Sequence, residues 1–294
     1  MSTLLILIKR NIKIFFKDKG MFFVSLITPV ILLVLYATFL GNVFKNVFIE
    51  SMPNGMEINK KLIEGLVAGQ LASSILATSC VTISFCSNLV MIQDKYTGTL
   101  KDLSVSPVKK STLALSYFIA SFIATAIVIY STTGLCFAYT ALLGWYLTVS
   151  DVFLILLDVF ILILFGTALS SIIHFFLSTQ GAASGVGSLV SSLYGFICGA
   201  YMPMFQFPSG LRTVLGFLPG TYGTVLLRNH WMGTAIKELH VPDEVMTKLR
   251  DVMDCNIYFF DNLVAIPSMY IYLGITVIVL LGVYILLNVL KKKH

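Results

Sequence analysis

Long runs almost without charged side chains constrain the fold of this chain more than any other feature. A helix needs roughly 20 apolar residues to cross the ~30 Å hydrocarbon layer of a membrane. Hydrophobic residues make up 57% of the 294 residues, more than is usual for soluble domains. Because the runs are continuous rather than alternating at period two, they favour helices over a β-barrel. The sequence predicts an all-α integral membrane protein with six transmembrane helices, at 20–44, 63–92, 113–142, 152–177, 181–202 and 268–290.

An amphipathic segment precedes the first run. Apolar residues recur at helical spacing from Leu4 to Phe16, and basic residues fall on the opposite side of the same helix. This pattern is typical of a helix that lies flat at an anionic membrane surface, although a merely solvated basic start is the simpler alternative. We therefore predict an interfacial helix over 1–19. Its basic residues are Lys9, Arg10, Lys13 and Lys17.

Charge distribution predicts the orientation, since Lys and Arg accumulate on the cytoplasmic side of membrane proteins. With both termini cytoplasmic, twelve of the twenty Lys and Arg residues fall in cytoplasmic pieces, which contain only three acids. The net charge of +6 is thus a topology signal, and we expect no nucleic-acid partner. We predict a multi-pass protein of the plasma membrane, embedded in its lipid bilayer.

The chain reads as one transmembrane domain, 1–294, with spans one to five in 20–202 and a sixth span with a basic tail in 268–294. Between them, 203–267 is predicted to be extracellular. Its first part is too apolar for an ordinary loop, so we expect short re-entrant helices there, dipping into the outer leaflet. A polar helix is predicted at 236–253. The five cysteines have no CxxC spacing, and neither a disulfide within the chain nor a metal site is expected.

A compact basic segment, QDKYTGTLKDLSVSPVKK at 93–110, separates the second and third runs. Gly98 and Pro107 break it into turns, and Leu100 with Leu103 forms an apolar pair at i, i+3. This spacing predicts a helix of about two turns over Thr99–Ser106, parallel to the membrane and offering a small protrusion to a cytoplasmic partner. The simpler alternative is a positive-inside loop that binds nothing.

The order of residues in this segment resembles the cytoplasmic loop of ABC type-2 exporter permeases, which docks on an ATP-hydrolysing subunit. The shared features are an acid before Gly-Thr-Leu, a further leucine, a Ser-Pro pair and a basic cluster. The acid stands four residues before the glycine, farther than the usual glutamate of the family. The docking residues implied by the resemblance are Asp94, Gly98, Thr99, Leu100, Leu103, Ser106 and Pro107, with Lys109 and Lys110 after them.

The resemblance implies an ATP-driven exporter rather than an enzyme. The chain lacks a GxxxxGK[ST] phosphate-binding loop, so it carries no cofactor of its own, and ATP and Mg²⁺ would be bound by a separate ABC ATPase subunit. Six spans are half of the usual transporter, which implies two copies of this chain and two ATPase copies. The cargo would be an amphiphilic or lipid-like compound such as a drug, an antibiotic or a peptide, or alternatively a lipid-linked glycan.

As in that family, the cargo path would lie between the two copies, along the second and fifth spans. Gly65 with Gly69 and Gly181 with Gly185 have the four-residue spacing that permits close helix packing, as does Gly195 with Gly199. These pairs are candidates for contacts within one copy or between copies. The hydroxyl-bearing path residues are Ser73, Thr78, Ser188, Ser192 and Tyr194.

Asp158 is the one acid in the interior of a predicted span, since Glu64 stands at the edge of the second. Intramembrane acids are costly and often functional, so it is either a proton-coupling or substrate residue or a structural partner of nearby hydroxyls. An intramembrane hydrolase built from Ser184, His174 and Asp158 is the rival enzyme, but these residues are predicted at different depths and could not meet. A non-transporting scaffold or sensor, and a secondary transporter, are the remaining alternatives.

Overall fold

A computed structural model describes residues 3–52, 59–260 and 262–290. The predicted basic tail at 291–294 lies outside the described residues, as does part of the first outer loop. Besides the α-helices, the structure contains a π-helical turn, Tyr36–Leu40, and a short 3₁₀ turn, Met204–Gln206. The helices and strands are α1 (Thr3–Lys17), α2 (Lys19–Leu35), α3 (Gly41–Glu50), α4 (Lys60–Ser87), α5 (Leu89–Tyr96), α6 (Thr99–Val105), α7 (Lys110–Leu143), α8 (Val149–Phe176), α9 (Gln180–Ile197), α10 (Ser209–Leu215), α11 (Pro219–Lys237), α12 (Asp243–Val252), β1 (Tyr258–Phe259), β2 (Asn262–Leu263) and α13 (Ile266–Leu290).

The architecture is the predicted all-α membrane fold. The β-structure of the described residues is one antiparallel hairpin with two residues in each strand. Within those residues, five helical stretches are long and apolar enough to span a membrane, and they coincide with the first, second, third, fourth and sixth predicted spans. They are Lys19–Glu50, Lys60–Tyr96, Lys110–Leu143, Val149–Phe176 and Ile266–Leu290.

The fifth predicted span, 181–202, forms a helix that falls short of this criterion. The 18 residues of α9 include four Gly and four Ser, which lower its hydropathy, and Gly199 ends the region with a left-handed φ of 75°. The amides of Ala200 and Tyr201 both turn back to the Gly195 carbonyl, at 2.8 and 3.0 Å. A count of six spans therefore stays a prediction.

The helix α4 is the centre of the bundle, with α2, α7, α8 and α11 packed around it. Its many Ala, Ser, Thr and Gly residues allow this close packing, because small side chains let helix backbones approach. A Cβ added at Gly69 would lie 2.8 Å from the Trp231 ring, and one at Gly65 would lie 2.9 Å from the Gly144 carbonyl oxygen. The Gly65–Gly69 pair thus mediates contacts within one copy.

The predicted outer segment is more integrated into the bundle than its sequence indicates. Whereas α10 is short, as expected, α11 has 19 residues and packs against α4, α8 and α13. The polar helix expected at 236–253 is the shorter α12, because α11 continues through Lys237 and Pro242 delays the next start. Asp243 and Glu244 occupy the first turn of α12, where the helix dipole favours acids.

Three predicted cytoplasmic pieces meet at one end of the bundle. The predicted interfacial helix is α1, whose buried residues pack it mainly along α7. The ammonium group of Lys95, at the end of α5, donates to the carbonyls of His174 and Leu177 at 2.6 Å each, where α8 ends. The His174 carbonyl also accepts the Leu177 amide at 3.3 Å, and the lysine adds a second donor there, so it caps the C-terminus of α8. The contacts place α1, the 93–110 segment and the α8–α9 turn together.

Candidate functional site

The 93–110 segment forms the helix that its spacing predicts, as α6. Gly98, between α5 and α6, has a left-handed φ of 84°, a conformation that glycine adopts without steric cost. The Gly98 carbonyl accepts the amides of Lys101 and Asp102, at 2.8 and 3.2 Å, which starts the helix. Ser106, in extended conformation, ends it before Pro107.

The simplest interpretation of the leucine pair in α6 is an exposed apolar face, but the structure turns the leucines inward. Leu100 and Leu103 are half-buried and pack against the bundle core, so they anchor the helix. Val105 is 88% exposed. Lys101, Asp102 and Ser104 are exposed as well, and they make up the outward surface with Val105. Sequence spacing identifies the apolar pair but not the face that a partner would touch.

The Asp94 carboxylate is hydrogen-bonded to partners within the same chain. Its carboxylate accepts two hydrogen bonds from the Arg10 guanidinium, at 2.6 and 2.8 Å, and one from the Tyr117 hydroxyl at 2.5 Å. The Asp94 side chain is 6% exposed and that of Arg10 31%. The same ion pair raises the pKa of the Arg10 guanidinium. Asp94 therefore joins α1, α5 and α7, a role that the sequence resemblance did not indicate.

The hydroxyls predicted to line a cargo path are not brought together within one copy. Ser73 and Thr78 are fully buried in α4 and donate to carbonyls of their own helix. Ser188 and Ser192 lie on the exposed side of α9. Tyr194 is buried, and its ring closely approaches Gly220. A single copy thus presents only the α9 serines of this set at its surface.

A polar cluster joins three helices around Asp158. The carboxylate lies 2.6 Å from Nδ1 of His230 on α11, and its other oxygen accepts the Tyr270 hydroxyl of α13 at 2.5 Å. Asp158 is 1% exposed and His230 7%. The sequence offered Tyr hydroxyls as partners but not His230, which lies 72 residues away along the chain. The cluster links α8 to α11 and α13.

The residues of the rival hydrolase have other partners. His174 is fully buried, and its Nδ1 lies 2.8 Å from the Ser170 carbonyl. Ser184 lies on the exposed side of α9, and Asp158 is engaged by His230 and Tyr270. The structure does not assemble a nucleophile, a base and an orienting acid from these three residues.

A second buried ion pair joins Arg228, two residues before His230 on α11, to Asp254. Arg228 donates to the Asp254 carboxylate at 3.0 Å and to the Gly199 carbonyl at 2.7 Å. In the orientation that satisfies both groups, the Gln70 amide oxygen accepts two further bonds from Arg228, at 3.2 and 3.1 Å. Asp254 also accepts the Met204 amide at 2.9 Å. Burial raises the pKa of Asp254 to about 6, although Arg228 opposes this shift.

Serine, threonine and asparagine side chains connect α4, α7 and α8. Asn88, between α4 and α5, donates to the hydroxyls of Ser170 and Ser171 and accepts from Ser121 at 2.8 Å. Such bonds are the principal polar links between helices in lipid. Asn88 thereby fixes the α4–α5 junction, and with it the start of the exposed α6 segment.

These features define a multi-pass α-helical membrane protein that carries a short exposed helix at one end of its bundle. A family model described as ABC-2 type transporter matches residues 2–230. The chain belongs to this family, which confirms the resemblance inferred from the 93–110 segment and makes the protein a transport permease. The family implies an ABC ATPase as its partner. No curated protein is significantly similar to the chain.

Proposed function

We propose that this chain is the membrane subunit of an ATP-driven exporter for amphiphilic or lipid-like compounds, with docking on a separate ATPase through the outward face of α6. The observation that carries the proposal is the exposure of Lys101, Asp102, Ser104 and Val105 on a helix whose leucines fix it to the bundle. Val105 gives this polar surface an apolar side chain that a partner subunit would bury. ATP and Mg²⁺ belong to the ATPase subunits.

The proposed transporter contains two copies of this chain and two ATPase copies. Three glycine pairs lie within predicted spans two and five. The pairs Gly65–Gly69 and Gly195–Gly199 are filled by neighbours in the same copy, whereas Gly181 and Gly185 face open space. Ser188 and Ser192 continue the open side of α9. We assign this small-residue surface to the second copy, which would place the two exposed serines beside the path between copies.

The N- and C-termini are assigned to the cytoplasm of the cell, and the membrane to the plasma membrane. The basic segments support this orientation, since α1 and the 93–110 segment lie at the same end of the bundle. The helices α10 and α12 are then assigned to the extracellular side of the membrane.

The test uses co-purification of the full-length chain with an ABC ATPase subunit from its native host. Val105→Asp places a charge on the outward face of α6 and is expected to reduce ATPase recovery by at least about tenfold, as charge burial at an interface does. Val149→Asp is the matched control, because Val149 is 75% exposed and lies in the first turn of α8, outside the docking segment.

Unchanged recovery with Val105→Asp would contradict docking through α6. Cargo-stimulated ATP hydrolysis in reconstituted vesicles separates a transporter from a scaffold, since a scaffold gives no stimulation. A secondary transporter would move cargo without nucleotide.

A further inference from the structure

One side of α1 borders an open groove of about 700 Å³. The opposite side carries the buried Leu7, Ile8, Asn11 and Phe15 and packs on the protein. The groove is therefore held on a fixed helix rather than on a mobile segment. It is lined by Ile6, Lys9, Arg10, Lys13, Ile14, Lys17 and Asp18.

Three positive charges in this groove lack an acidic partner among the described residues. Lys9, Lys13 and Lys17 are four residues apart, so they follow one stripe of the helix, and all three are exposed. Arg10 is already bound by Asp94. The Asp18 carboxylate accepts the Met21 amide at 3.0 Å and caps α2. The lysine stripe thus has an excess of positive charge.

The same side of α1 is also apolar. Ile6 is 54% exposed and stands on the lysine stripe, and Leu5, also 54% exposed, lies beside it. A basic face directed to water gains nothing from these side chains. Lysine stems cover apolar surface while their ammonium groups stay polar, so this face suits a ligand with an anionic head and a hydrocarbon body.

We propose that the α1 groove binds an anionic phospholipid. Its phosphate is held by Lys9, Lys13 and Lys17, and an acyl chain lies against Ile6 and Leu5. A free phosphate ion would use only the first of these two features. The proposal depends on the proposed function for one point, the placement of α1 at the cytoplasmic leaflet.

Binding is measured by native mass spectrometry on the full-length protein in detergent, titrated with phosphatidylglycerol or with phosphatidylcholine. Each lysine near an anionic lipid surface contributes about fivefold in affinity, so Lys9→Gln/Lys13→Gln/Lys17→Gln is expected to weaken phosphatidylglycerol binding by on the order of a hundredfold. The matched control is a triple variant of exposed lysines outside α1, Lys61→Gln/Lys237→Gln/Lys248→Gln, which is expected to bind as the wild type does.

Equal losses in the two triple variants, or equal binding of phosphatidylcholine by the wild type, would overturn the site. Glycerophosphoglycerol, which has the head group without acyl chains, is expected to compete only weakly. If it competes as well as the lipid, the ligand is a phosphate compound and not a lipid.

The outcome is separable from that of the proposed function because the titration contains no ATPase. If the α1 triple variant keeps its lipid affinity but loses ATPase recovery, the lysine stripe is a protein-docking face and the lipid assignment is wrong. If the wild-type protein never co-purifies with an ATPase, but the α1 triple variant loses lipid affinity, only the transporter proposal fails.

Discussion

The ion pair between Arg10 and Asp94 leads to an asymmetric prediction. Both residues lose the same two hydrogen bonds when either is replaced, yet their surroundings differ. Asp94 is nearly buried, with a side chain 6% exposed, whereas the Arg10 side chain is 31% exposed. A guanidinium without its partner can reach water, but the buried carboxylate retains only the Tyr117 hydroxyl among the donors described. Arg10→Met should therefore destabilise the protein more than Asp94→Asn.

The expected magnitudes follow from the cost of leaving a buried charge unpaired. Removing one partner of a fully buried ion pair costs roughly 3–5 kcal/mol, and the partial exposure of Arg10 lowers this to about 2–3 kcal/mol for Arg10→Met. Asp94→Asn loses charge-assisted bonds but strands no buried ion, which costs about 1 kcal/mol. The double variant Arg10→Met/Asp94→Leu removes both charges and should be no less stable than Arg10→Met alone.

Thermal unfolding followed by a thiol-reactive fluorophore measures these differences, because buried thiols react only when the protein opens. Cys80, Cys136, Cys198 and Cys255 are 0%, 8%, 1% and 1% exposed. At about 2–4 °C per kcal/mol for a chain of this size, Arg10→Met should lower the midpoint by about 4–12 °C and Asp94→Asn by about 2–4 °C. A larger drop for Asp94→Asn, or a double variant less stable than Arg10→Met, would refute the asymmetry.

Two further predictions concern the glycine contacts and the Asp158 cluster. Gly69→Leu should reduce the yield of folded protein, because a Cβ there already meets side chains of α11, and a stable Gly69→Leu protein would contradict this packing. Gly185→Leu should leave the single copy stable and lower the dimer fraction in cross-linking. Tyr270→Phe should cost about 1 kcal/mol by removing one bond to Asp158, and Asp158→Leu about 2–4 kcal/mol, since it also leaves His230 without its partner. Equal costs would contradict a stabilising contact between Asp158 and His230.

The sequence was sufficient for the architecture but not for the contacts that hold it. Apolar runs predict spans well because crossing a membrane sets both length and composition. The criterion of length and hydropathy does not select α9 at 181–202, where Gly and Ser lower the hydropathy and suit close packing, so the fifth span stays a prediction. The sequence predicted only short re-entrant helices in the first part of 203–267 and did not indicate the long α11, because α11 mixes polar and apolar residues and its burial depends on partners far away in the chain.

The candidate site shows the same division. The turn formers Gly98 and Pro107 predict α6 locally, and the structure contains that helix. No local signal pairs Asp94 with Arg10, because 84 residues separate them and only the packing of α1 brings them together. Asp158 was identifiable as an unusual acid, but whether it meets a hydroxyl or an imidazole depends on which face of α11 turns inward.

The 93–110 segment, the proposed docking site, is joined to α1 as one unit, and that arrangement bears on how force from an ATPase would reach the spans. Asp94 is four residues before Gly98 and is bonded to both α1 and α7. A displacement of α6 is therefore passed to α1 through a short, charged and nearly buried contact. It is also passed to α4, because α5 follows α4 after the single residue Asn88, whose amide is bonded to α7 and α8. Since each joint is tied to a neighbouring helix, the connections favour motion of the bundle as a rigid body over a hinge at the loop.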